Sequence, residues 1–115
     1  MKIGIMGAMI EEVALIKAAM TIEHEETIAD RTYCHGQYHG QSVVLAFSRW
    51  GKVASAITAT TLLARFEVDM IIFTGVAGAV SKTLHVGDVV IAEKLYQHDM
   101  NAEPIFPRFQ IPLTT

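Results

Sequence analysis

Cysteine is almost absent from this sequence: Cys34 is the single thiol in 115 residues. That excludes an intrachain disulfide and any zinc site built on cysteine pairs. Proline is scarce as well, and all three copies, Pro104, Pro107 and Pro112, fall in the tail, so no helix or ladder before Pro104 is interrupted by one. Charged residues make up only 18% of the chain and sum to −3. With both signs interspersed, there is no basic footprint for nucleic acid and no polybasic patch for anionic lipid. Nowhere do about eighteen apolar residues run together, so no membrane span is expected. Met1-Lys2 leads into only a short strand-like run before Gly7, far less than the apolar region of a signal peptide. A cytoplasmic location and small-molecule chemistry are the expectations.

What the chain does contain is apolar material: 51% hydrophobic residues and a mean hydropathy of +0.35, enough for one domain with a core. Residues 2–6 read as a continuously apolar strand, followed by a helix over about 9–20 with Val13, Ile16 and Met20 on one face. The acid-rich stretch from Ile22 to Ala29 reads as a solvated loop or an edge strand. Arg31–Tyr38 and Ser42–Phe47 are β-rich runs joined by a His39-Gly40-Gln41 turn. A crossover helix follows over Lys52–Phe66, where Val53, Ile57, Thr60 and Leu63-Ala64 recur at helical spacing. Asp69–Phe73 is then a buried strand, and Val86–Ala92 reads as another, with Leu95–His98 as its continuation after a bend. Buried runs alternating with helices imply an α/β fold with a largely parallel sheet covered on both faces. The tail from Pro104, with Ile105, Phe106, Phe109 and Ile111 between prolines, is irregular yet too apolar for a solvated linker.

Three strands end in glycine-bearing loops, at Gly7, at Gly51, and at Gly75 and Gly78. If those strands are parallel neighbours, the loops converge on one crevice, where open α/β sheets place their ligands. Glu11 and Glu12 lie about 100° apart on a helix, so only one of them turns inward. A carboxylate at that strand end is ill suited to phosphate and suited to holding water or a ligand hydroxyl; complementing the helix dipole is the plainer role. Gly75-Val76-Ala77-Gly78 offers backbone N–H groups and an unobstructed surface to a flat heterocycle or a sugar, or else is simply a tight turn. Neither G-x-G-x-x-G nor a Walker A sequence is completed. Trp50 walls a pocket or is an ordinary half-buried aromatic. His98-Asp99 reads better as a structural turn than as a catalytic pair. The remaining histidines are scattered without metal-ligand spacing, so no metal and no cofactor is expected, and Cys34 reads as a packed small hydrophobe.

Taken together, Met1-Lys2-Ile3-Gly4-Ile5-Met6-Gly7-Ala8-Met9-x-Glu11-Glu12-Val13, Ser48-x-x-Gly51-Lys52-Val53, and Thr74-Gly75-Val76-Ala77-Gly78 with Val86-Gly87-Asp88-Val89-Val90 resemble one family. It is the 5′-methylthioadenosine/S-adenosylhomocysteine nucleosidases of the nucleoside phosphorylase superfamily, and the similarity runs to about His98-Asp99. The resemblance implies a mixed, largely parallel central sheet flanked by helices, incomplete in this chain, with residues 1–115 forming the N-terminal half of a single domain. It implies hydrolysis of the N-glycosidic bond of adenine thionucleosides, releasing adenine, and a place in methionine salvage. Glu12 matches the carboxylate that positions and deprotonates the attacking water. Ala8, Met9, Trp50, Val76, Ala77 and Gly78 match positions lining the ribose, base and alkylthio regions. Homodimers are implied, in which the segment after His98-Asp99 places Ile105, Phe106 and Pro112 over the partner's alkylthio pocket.

The chain departs from the family at Arg49-Trp50, commonly a small or β-branched pair, and in the tail from Glu103 to Leu113. It also lacks counterparts of the family's later aspartate, which protonates the leaving adenine, and glutamate, which grips the ribose hydroxyls. Alone it is therefore expected to be inactive, since general-acid catalysis is typically worth about 10²- to 10⁴-fold. A phosphate-dependent phosphorylase of the same fold and a non-catalytic dimerisation or adenine-binding module are the competing readings. An incomplete sheet exposes its edge and apolar surface. The isolated chain is thus expected to oligomerise or to be poorly soluble, and a clean monomer in sedimentation would contradict this.

Overall fold

The computed structural model describes residues 1–112; Leu113, the end of the apolar tail, lies outside them. Two compact units are present, Met1–Gly78 and a second from Ala79 onward. The first contains β1 (Lys2–Gly7), α1 (Ile10–Ala19), β2 (Thr21–Ile28), β3 (Arg31–Tyr38), β4 (Gln41–Phe47), α2 (Lys52–Ala64) and β5 (Met70–Phe73). The strands form one sheet in the order β2-β3-β4-β1-β5. β1 is parallel to both of its neighbours, β4 and β5, and β2, β3 and β4 form an antiparallel meander.

Both hairpin turns are two-residue loops with positive φ throughout: Ala29 and Asp30 at 47° and 60°, His39 and Gly40 at 49° and 75°. Turns of this hand match the twist of the strands they join. The expected three-residue turn is thus tighter by one, because Gln41 already pairs with Tyr38. The acid-rich stretch is an edge strand, β2, whose side chains are largely exposed. Charged, solvated residues on an outer strand discourage further pairing.

Alternation along β1 and β4 sends side chains to two cores, one on each face of the sheet. Ile5, Val43 and Leu45 meet Val13 and Met20 of the α1 layer, with Cys34 among them. Met6, Val44 and Ala46 meet Leu62, Phe66 and Val68 of the α2 layer, with Tyr33 among them. Cys34 donates through Sγ to Glu25 Oε1 at 3.0 Å, and the same oxygen pairs with Lys17 at 2.9 Å. Burial first, then that hydrogen bond, pushes the thiol above its ordinary range, so Cys34 is held as a neutral packing group.

The expected crossover helix is present as α2, and one expected strand is not. The stripe that identifies α2 as a helix is its outer one: Val53, Ile57 and Leu63 are exposed, while Thr58 and Leu62 face the sheet. In an alanine-rich helix both stripes are apolar, and periodicity alone does not choose between them. Val86–Ala92 does not form a strand. Val86, Val89 and Ile91 stand almost fully exposed, and the five-stranded ladder does not include them. An apolar run becomes a buried strand only with a neighbouring ladder and cover on both faces, and no described residue supplies the ladder.

Leu95–His98 is likewise irregular. The second unit is held by turns, among them His85–Asp88 and the bonds from Ile105 and Phe106 N–H to the Ala102 carbonyl. Among the described residues no helix is long and apolar enough to cross a membrane. Leu62 is fully buried between α2 and the sheet, so Leu62→Ala should cost about 2–5 kcal/mol, read as a shifted denaturant midpoint. A loss below about 1 kcal/mol would contradict this packing.

Candidate active site

The parallel neighbours β4, β1 and β5 end almost level, with Gly7 opposite Phe47 and Met6 opposite Phe73. Their exits are tied by two further ladder bonds, Ser48 N–H to the Gly7 carbonyl at 2.8 Å and Thr74 N–H to the Met6 carbonyl at 2.9 Å. The three glycine loops therefore leave the sheet side by side, at the end where α/β sheets bind ligands.

Glu12 stands in the first turn of α1, and its carboxylate folds back across these exits. Oε2 accepts from Ala8 N–H at 2.8 Å and Met9 N–H at 2.9 Å. Oε1 accepts from Val76 N–H at 3.0 Å. The bond to Met9, the N-cap residue of α1, satisfies a backbone donor that the helix leaves open; the bond to Val76 reaches the loop after β5. The Val76 bond is the main cause of a carboxyl pKa below the ordinary range; partial burial opposes it, and the Met9 and Ala8 bonds reinforce it. Glu12 is thus anionic at neutral pH. Each carboxylate oxygen has about two acceptor positions, so Oε2 is filled and Oε1 keeps one for a further donor.

Gly75 is required by this arrangement for its missing side chain. A Cβ there would lie 2.8 Å from Glu12 Oε1 and 3.0 Å from Cδ, inside van der Waals contact. Beside the clasp is a cavity of about 310 Å³ lined by Ala8, Arg49, Gly51, Lys52, Ser55 and Phe73, which spans all three strand exits. Arg49 has φ 68°, and its guanidinium donates to the Asp30 carbonyl at 2.8 Å.

Of the residues singled out in the sequence, Glu12, Ala8, Met9 and Val76 come together through these backbone bonds, and Ala8 also lines the cavity. Glu11 is exposed and takes no part. Trp50 is 70% exposed, with its ring edge-on to Phe47 at 6.1 Å, and does not line the cavity. Ala77 and Gly78 extend beyond Val76, exposed. In the second unit Ile105 is exposed, while Phe106 and Pro112 are half-buried. Sequence reasoning missed Lys52 and Ser55 on the cavity wall, the steric need for Gly75, and any role for Ser48. A glycine in a loop signals turns in general, and only the three-dimensional approach of Glu12 shows which one is sterically required.

The family model described as the phosphorylase superfamily matches residues 2–114. The chain is 46% identical over 99 residues to the 5′-methylthioadenosine/S-adenosylhomocysteine nucleosidase of Marinomonas sp. (strain MWYL1), covering 86% of this chain and 43% of that protein. It superposes on the nucleosidase of the same name from S. pneumoniae, solved with the transition-state inhibitor MT-ImmA, with a TM-score of 0.94 and 40% identity, covering 100% of this chain and 50% of that one. The nucleosidase from Colwellia psychrerythraea 34H, solved with adenine, gives a TM-score of 0.92 and 38% identity over 97% of this chain and 47% of that one. The chain spans about half the length of the curated relatives it matches. These structures have the nucleoside phosphorylase-like fold, and the mixed sheet described above is part of it.

Gly75→Ala should push the Glu12 carboxylate off Val76 N–H and raise its pKa toward the ordinary carboxylate range, as read by ¹³C-carboxyl NMR titration. An unchanged titration would show that the clasp does not depend on the missing Cβ.

Proposed function

Because the chain belongs to the phosphorylase superfamily, we propose that the protein containing it hydrolyses the N-glycosidic bond of 5′-methylthioadenosine and S-adenosylhomocysteine, releasing adenine. The observation that carries this reading is the Glu12 carboxylate, ionised and clasped at the strand exits with one acceptor position left. That position takes a hydrogen of the attacking water. The water oxygen bonds to C1′ of the ribosyl group as the bond from C1′ to the adenine nitrogen breaks, and Glu12 receives the proton the water loses. The proton for the leaving adenine is assigned, by the family resemblance, to the part of the longer relatives that this chain does not span.

A low pKa makes Glu12 a weak base but keeps it fully in the acceptor form, so its larger contribution is to orient water and stabilise positive charge as the bond opens. Ala8, Met9, Val76, Ala77 and Gly78 line the ribose and base side, and Trp50 the alkylthio side. In a homodimer, Ile105, Phe106 and Pro112 cover the partner's alkylthio pocket. A cytoplasmic enzyme of methionine salvage, needing no cofactor, is the corresponding cellular role.

One observation favours a second reading. Arg49 and Lys52 line the cavity beside the N-terminus of α2, where an anion is favoured, as phosphate-dependent cleavage requires. An anionic Glu12 next to that space opposes it. Adenine release from methylthioadenosine by the protein expressed from its complete coding sequence should proceed at the same rate without phosphate; strict phosphate dependence would establish the second reading instead. Glu12→Gln should lower hydrolysis by about 10²- to 10⁴-fold while nucleoside binding persists, and unchanged turnover would refute the role given to Glu12. Since folding depresses this pKa, the ionised form is lost only at a pH below the ordinary glutamate value. The acidic limb of kcat/KM due to Glu12 should therefore lie below that value, and a limb near neutrality would contradict it.

A further inference from the structure

Ser48 is fully buried at the exit of β4, and no step of the proposed reaction uses it. Its backbone N–H donates to the Gly7 carbonyl at 2.8 Å. Its hydroxyl lies 3.1 Å from the same carbonyl oxygen and 2.9 Å from the Arg49 carbonyl; having one hydrogen, it donates to one of them at a time. The Gly7 carbonyl and the Ala8 N–H belong to one peptide unit, which is planar and trans, so its oxygen and its hydrogen point in opposite directions. Ser48 holds the oxygen end, and Glu12 Oε2 accepts from the hydrogen end at 2.8 Å.

From this geometry we infer that Ser48 is a positioning residue for the Glu12 carboxylate, acting through the Gly7–Ala8 peptide. The inference rests on the role proposed above for Glu12. When the hydroxyl turns to Gly7 it joins the Ser48 N–H as a second donor on that carbonyl, and the pair fix the plane of the peptide and so the direction in which Ala8 N–H points. They also polarise the unit, which strengthens its N–H as a donor to the carboxylate.

Ser48 is itself held from behind. Arg31 Nε donates to the Ser48 carbonyl at 3.4 Å, and Arg49 reaches the Asp30 carbonyl at 2.8 Å. The β2–β3 turn therefore braces the loop after β4, and that loop braces the loop after β1. A residue that only filled space here would need no hydroxyl, whereas this one sits within reach of two carbonyls with its oxygen out of water.

The test uses the protein expressed from its complete coding sequence, with Ser48→Ala and Ser48→Cys. The cysteine variant fills the site with a slightly larger group that is a weaker donor, so a loss shared with the alanine variant does not come from an emptied site. In both, the Glu12 carboxyl pKa in ¹³C NMR should rise and the Ala8 amide proton should shift upfield as its hydrogen bond weakens. In both, kcat for adenine release should fall about fivefold, the size of one neutral hydrogen bond, with KM within about twofold. A wild-type Glu12 titration and Ala8 amide shift in both variants would overturn the inference, whatever happens to turnover. If the wild-type protein cleaves no nucleoside, the proposed function falls, while the titration and the amide shift still decide whether Ser48 positions Glu12.

Discussion

One carboxylate joins what the chain keeps apart in sequence. Glu12 accepts from Ala8, Met9 and Val76, so a single side chain closes the N-terminus of α1 and links the exits of β1 and β5. Hydrogen bonds to an ionised group are stronger than neutral ones, and these three replace the water that backbone donors at a strand end would otherwise need. The need for a glycine at position 75 follows from where that carboxylate lies. The chemistry follows from the same constraint. Three donors keep Glu12 charged but lower its basicity, and under the proposed function such a carboxylate orients water and faces a developing positive charge more than it seizes a proton.

Much of this was legible in the residues. β1, β4 and β5 announce themselves as short apolar runs, and each ends at a small or polar residue where the chain must turn. Their parallel adjacency was an assumption in the sequence, and it is fulfilled because α2 carries the chain from β4 across to the far side of β1. Glu12 was separable from Glu11 by helical geometry together with the resemblance to a family. The unreadable parts were those set by contacts far apart in the chain. Gly75 looks like any loop glycine until the carboxylate of a residue 63 positions earlier lies against it. Ser48 looks like a polar residue leaving a strand until its hydroxyl meets the Gly7 carbonyl.

The misread strand at Val86–Ala92 and the outer stripe of α2 reflect the same physical limit. Apolar runs report that a segment will be covered, not what covers it. Val86–Ala92 has the composition of a buried strand, yet among the described residues nothing pairs with it, and its valines stand exposed. On α2 the outer apolar stripe reads as well as the inner one, since Thr58 on the buried side contributes little to hydropathy while Val53 and Leu63 on the exposed side contribute much. In each case side-chain character was read correctly, and the partner that would satisfy it was not on that stretch of chain.

The central claim is that three backbone donors hold Glu12 as a clasped anion at the strand exits. It is tested most directly by titrating the wild-type protein with ¹³C-labelled glutamate while following the amide protons of Ala8, Met9 and Val76. The account predicts a Glu12 midpoint below the ordinary glutamate value, with all three amide protons moving at that same midpoint. A midpoint at or above the ordinary carboxylate value, or amide protons that ignore it, would contradict the account.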